Sequence, residues 1–74
     1  MEERIKSILS EIFEIKEDEV KDDLKSDDIL LWDSLNYLQM ITALEEEFDI
    51  KLTMNEINSM NSYAKIRTII KEHI

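Results

Sequence analysis

Few residues in this chain could do chemistry unaided. It has one histidine, His73, and no cysteine, so a thiolate metal site, a disulfide framework and a cysteine nucleophile are excluded. A Ser/His/Asp arrangement needs His73 to reach a serine in a water-excluded cleft, and a small helical domain offers little of one. Where it stands, His73 more simply serves a helix C-terminus. The carboxylates are plentiful but diffuse, and no pair shows the divergent environments that acid–base work needs. Metal-ligand spacing is absent too. The Asp-rich stretch 17–33 invites comparison with a calcium loop, but the central glycine of an EF-hand is missing. What remains is Ser34.

Ser34 stands at the mouth of a helix that the apolar pattern places over 34–48. Backbone N–H groups and the positive end of the dipole favour an anion there. Asp33-Ser34 before an apolar run reads as an ordinary N-cap, with Ser34 as the cap. A modified serine is compatible with that reading, because a capping position is also accessible and a phosphodiester would lie at the favourable end of the helix. The opposite end carries Glu45, Glu46 and Glu47, where the same dipole disfavours them by about 0.3–1 kcal/mol each. Stability alone would not select that pattern, so a partner is expected.

Composition narrows the partner. Eighteen Asp and Glu against nine Lys and Arg give a formal charge of −9, which repels nucleic-acid phosphates and favours basic protein surfaces. No apolar run approaches a membrane span or a signal peptide's apolar segment, so the chain reads as soluble and cytoplasmic. Seventy-four residues allow one small domain, 1–74, read as a monomer. With no Gly and no Pro, turns needing positive φ should fall to Asn, Asp or Ser.

The elements that must position Ser34 follow from periodicity. Ile5, Ile8, Leu9, Ile12 and Phe13 form one stripe of a first helix over 2–16, closed by Lys16. Residues 17–33 form a long connection with room for a short helical turn, pinned to the core by Val20, Leu24, Ile29, Leu30 and Leu31. On the second helix Tyr37, Met40, Ile41, Leu44 and Phe48 share the core face. Leu35, Leu38, Gln39, Thr42 and Glu46 make another strip, flanked by Glu45 and Glu47, that reads as a docking ridge. Thr53 with Glu56 is a capping box for a short helix, Met54 to Ser59, anchored by Ile57 and Met60. Ser62 caps a last helix, Tyr63 to His73, with Tyr63, Ile66, Ile69 and Ile70 inward. The expected fold is an all-α four-helix bundle, three helices longer and the third short.

Asp33-Ser34-Leu35, then Leu38, Leu44 and Glu45-Glu46-Glu47-Phe48-Asp49, resembles the signature of the acyl carrier proteins. Glu2-Glu3-Arg4-Ile5 and Thr53-Met54-Asn55-Glu56 extend the similarity along essentially the whole chain. The resemblance implies that Ser34 receives a 4′-phosphopantetheine arm from coenzyme A. A separate phosphopantetheinyl transferase (holo-ACP synthase) would install it, with Asp33 helping to hold that enzyme's magnesium. It implies a thiol imported with the cofactor, no catalytic residue in the chain, and loading and condensing enzymes whose basic surfaces read the second helix. Asn36 and Gln39 stand where fatty-acid carriers are commonly acidic, Leu31 replaces their usual glycine, and Thr53 a common proline. Trp32-Asp33-Ser34-Leu35 is also similar to D-alanyl, peptidyl and specialised acyl carriers. Acyl and aminoacyl cargo therefore both stay open, as does an unmodified acidic module that only binds a basic partner. Trp32 is expected to plug the connection against the core.

Overall fold

The chain has no glycine with which to end its helices, and the way it ends them shapes the bundle. A computed structural model describes residues 1–74. It contains α1 (Glu2–Phe13), α2 (Ser34–Phe48), α3 (Met54–Ser59) and α4 (Tyr63–His73), with no strand. The all-α, four-helix expectation holds, including the short third member. α1, however, stops at Phe13, three residues before the predicted Lys16. Glu14 takes a left-handed conformation, φ 56°, and its N–H donates to the Ser10 carbonyl. The Ile15 N–H donates to the same carbonyl, and Ser10 Oγ donates back to the Ile15 carbonyl. α2 ends the same way at Asp49, φ 53°, where the Ile50 N–H shares the Glu45 carbonyl with the Asp49 N–H. A left-handed non-glycine residue costs on the order of 1–2 kcal/mol. The Asp at one stop fits the expected residue types, and the Glu at the other does not.

α1 buries Ile5, Leu9 and Phe13 against α2, which contributes Met40, Ile41 and Leu44. Tyr37 and Phe48 of the predicted core face are only half-buried. α4 adds Tyr63, Ile66 and Ile70, and Met60 and Leu52 close the remaining side. The capping box at α3 forms as expected, with Thr53 Oγ1 accepting from the Glu56 N–H at 3.2 Å and Glu56 Oε1 from the Thr53 N–H at 2.8 Å. Ser62 caps α4 through the Lys65 N–H. Every buried side chain is apolar or tyrosine, and no buried side-chain polar atom lacks a partner.

The connection between α1 and α2 carries two 3₁₀ turns, Glu17–Glu19 and Ser26–Asp28. Val20 and Ile29 are buried and Leu24 and Leu31 half-buried, but Leu30 is 98% exposed. The expectation that Leu30 pins this segment is therefore corrected. Consecutive Ile29, Leu30 and Leu31 cannot all face inward across a turn. A single antiparallel bridge between Lys25 and Ser62 ties the connection to the mouth of α4. Arg67 reinforces the tie through an ion pair with Asp22 and sits over the Tyr63 ring. Surface pairs of this kind contribute little individually, about 0–1 kcal/mol.

Candidate functional site

Ser34 is exposed and begins α2 as its first helical residue. The cap is the residue before it: Asp33 is extended, φ −106° and ψ 177°, and its Oδ1 accepts from the Asn36 N–H at 2.9 Å. This corrects the assignment of the cap to Ser34. Aspartate suits a helix mouth at least as well as serine because its charge also faces the positive dipole end. The correction matters chemically. With Asp33 engaged by the helix, the Ser34 hydroxyl is not consumed by capping and is left facing solvent. The Ser34 and Leu35 N–H groups, in the first turn, have no intrahelical acceptor. A phosphate ester at this position therefore meets a favourable field and free donors.

The mouth of α2 is held rigid from below. Trp32 stacks on Phe13 of α1, ring centroids 4.6 Å apart and planes 6° apart, and on Tyr37 of α2 at 5.9 Å. It thus plugs the connection against the core as predicted, locking the backbone two residues before Ser34. Asn36 Nδ2 donates to the Leu31 carbonyl at 3.0 Å, and the Tyr37 hydroxyl donates to the Ile57 carbonyl of α3. Burial pushes the Tyr37 phenol up from its ordinary value, so it remains a neutral donor across the working pH range. Neither the Asn36 nor the Tyr37 bond was visible in the sequence.

The predicted docking strip forms one feature. Leu35, Leu38, Gln39, Thr42 and Glu46, joined by Ala43, line a shallow hollow of ≈ 340 Å³ along the outer side of α2. Leu35 is 66% and Leu38 59% exposed. The three glutamates at the far end separate into different roles. Glu45 is half-buried and its Oε2 accepts from the Leu52 N–H at 2.9 Å. Glu47 pairs with Arg4 of α1. Glu46 alone is exposed without a hydrogen bond or ion pair in the fold and also borders the hollow. Of the trio, Glu46 is the one wholly available to a partner.

His73 does not approach Ser34. Its Nε2 lies 2.9 Å from Glu56 Oε2, joining the end of α4 to α3. The Thr53 N–H, followed by His73, holds the Glu56 carboxyl below the usual glutamate range. With its ring engaged at α3, His73 gives Ser34 no base, and the Ser/His/Asp arrangement loses its only histidine.

The family model described as a phosphopantetheine attachment site matches residues 3–71. A protein of Buchnera aphidicola subsp. Acyrthosiphon pisum (strain Tuc7) named acyl carrier protein is 42% identical over 65 residues, covering 88% of this chain and 81% of the relative. The acyl carrier protein of Buchnera aphidicola subsp. Schizaphis graminum (strain Sg) is 35% identical over the same length, covering 88% and 82%.

Proposed function

Because the chain belongs to the acyl carrier proteins, carriers of a phosphopantetheine arm rather than enzymes, we propose that Ser34 is the residue to which its arm is attached. The observation that carries this reading is the division of labour at the mouth of α2. Asp33 takes the capping role, which leaves Ser34 an exposed, unengaged hydroxyl at a helix N-terminus whose backbone is locked by Trp32. The arm supplies a terminal thiol on which acyl groups are held as thioesters, chemistry that a chain without cysteine does not provide itself. Asp33 keeps Oδ1 on the Asn36 N–H, and its second oxygen is the one available to the transferase's magnesium.

The whole of 1–74 works as one monomeric carrier domain in the cytoplasm. It delivers acyl intermediates to enzymes of fatty-acid, polyketide or related biosynthesis. Those enzymes read Leu35, Leu38, Gln39, Thr42 and Glu46, with Glu45 and Glu47 adding to the local negative field. Tethering raises the cargo's effective concentration at each enzyme, so the protein contacts themselves need only be weak, fast and salt-sensitive. The neutral Asn36 and Gln39 in place of the acids common in fatty-acid carriers support a second reading, an aminoacyl carrier of D-alanyl or peptidyl type. The test of attachment is intact mass after incubation with coenzyme A, magnesium and a phosphopantetheinyl transferase of broad specificity. Wild type should gain one arm and Ser34→Ala none. Equal gain by both would refute the assignment of Ser34.

A further inference from the structure

Five large apolar side chains are exposed in this protein, Leu30, Leu35, Leu38, Met54 and Ile74. Single exposed leucines are normal on any surface. Three of these five, however, fall four residues before, one after and four after Ser34. Leu30 is the most exposed, at 98%, and it is not on a loose loop. The Trp32 N–H donates to the Ile29 carbonyl at 3.3 Å, closing a turn with Leu30 at one corner and Leu31 at the other. Ile29 is buried on one side of that turn, and Trp32 is stacked between Phe13 and Tyr37 on the other. Turn corners ordinarily carry Pro, Asp, Asn, Ser or Gly. This one holds a leucine out into water on a fixed base.

The surroundings indicate what covers it. Along the chain Asp27, Asp28 and Asp33 flank Leu30, and between Lys25 and Lys51 the sequence has no basic residue; at the far end of α2 Glu46 stays unpaired, while Glu47 is paired with Arg4. A complementary surface is therefore apolar at its centre and cationic at its rim. Resting on the proposed role of Ser34, we infer that Leu30 is an apolar anchor for the transferase that modifies Ser34. It extends the docking surface beyond α2 to the turn before the serine. The choice of partner follows from geometry. An enzyme that loads or elongates cargo works at the far end of the arm. The transferase must instead bring its own groups to the Ser34 hydroxyl, so its footprint has to surround that hydroxyl on both sides along the chain.

The test compares wild type, Leu30→Ser, Leu30→Met and Ile74→Ser as substrates of a phosphopantetheinyl transferase with coenzyme A and magnesium. Leu30→Ser should lower kcat/KM about ten- to hundredfold, the effect of removing one buried leucine from an interface, with the change chiefly in KM. Leu30→Met, which keeps apolar volume, should retain most of the rate, and Ile74→Ser all of it. The Leu30 variants should melt with wild type, since a side chain this exposed packs against nothing. Modification of Leu30→Ser at the wild-type rate, or a lowered melting temperature for it, would overturn the inference. Failure of wild type itself to take up an arm would instead overturn the carrier role of Ser34, and this inference with it.

Discussion

Glu45 and Glu46 are neighbours of identical chemistry, and the fold predicts opposite consequences for removing them. The Glu45 carboxylate accepts at 2.9 Å from the N–H of Leu52, and Leu52 is only 9% exposed. Glu45→Ala leaves that amide without its partner, a penalty of about 1–3 kcal/mol. Against this stands the relief of an unfavourable charge at a helix C-terminus, about 0.3–1 kcal/mol. The net loss should be about 1–2 kcal/mol, which in a domain of this size lowers Tm by roughly 4–16 °C. Glu45→Gln, which keeps an acceptor oxygen and removes the charge, should stay near wild type. Glu46 gives up no bond in the fold, so Glu46→Ala should leave stability unchanged or raise it by a few tenths of a kcal/mol. Glu46→Lys should weaken pairing with partner enzymes much more than it alters stability, and the loss should shrink as salt is raised. Thermal melts followed by circular dichroism, paired with partner titrations at two ionic strengths, measure all of this. If Glu45→Ala melts with wild type while Glu46→Ala is destabilised, the division between a structural and a recognition glutamate is wrong.

Three further outcomes follow from the same geometry. Tyr37→Phe loses the hydrogen bond to the Ile57 carbonyl and should cost about 0.5–1.5 kcal/mol in urea unfolding with an unchanged m-value. Trp32→Ala removes stacking on both Phe13 and Tyr37 and should cost about 2–4 kcal/mol. Trp32→Phe should recover part of that, and full stability of the alanine variant would refute the plug. Glu56 has a folded-state value held below its ordinary 4.5. Its contribution is therefore present above pH 4.5 and lost as pH falls through the lower folded value. Glu56→Gln should accordingly show a shallower acid limb in Tm against pH than wild type, and parallel limbs would contradict the pairing with Thr53 and His73.

The sequence revealed what repeats and what caps. Apolar spacing located all four helices, and the Thr53–Glu56 box and Ser62 began α3 and α4 at the residues observed. It failed where one residue had to choose between two competent neighbours. Asp33 and Ser34 can each cap a helix, and only backbone geometry shows that Asp33 takes the role. Ile29, Leu30 and Leu31 can each face a core, and the turn that they form admits Ile29, half-admits Leu31 and expels Leu30. Glu14 is not a residue expected at positive φ, so the early end of α1 carried no local signal. The three glutamates looked equivalent because their separate partners, Leu52 and Arg4, come from other elements. Ser34 was legible as the candidate site because the chemistry proposed for it depends on local sequence, a helix mouth and an adjacent acid. The hollow that runs on from it depends on the helical period alone.

The proposed function requires that Ser34 carry the arm and that none of the other five serines in the chain does. Tryptic digestion after Lys25 and Lys51 yields one peptide holding Ser26 and Ser34 together. Fragmentation of that peptide from protein loaded with coenzyme A and a phosphopantetheinyl transferase locates the modification directly. The arm's mass should appear only on fragments that contain Ser34. Its appearance on Ser26, or on a peptide bearing any of the other serines, would contradict attachment at Ser34.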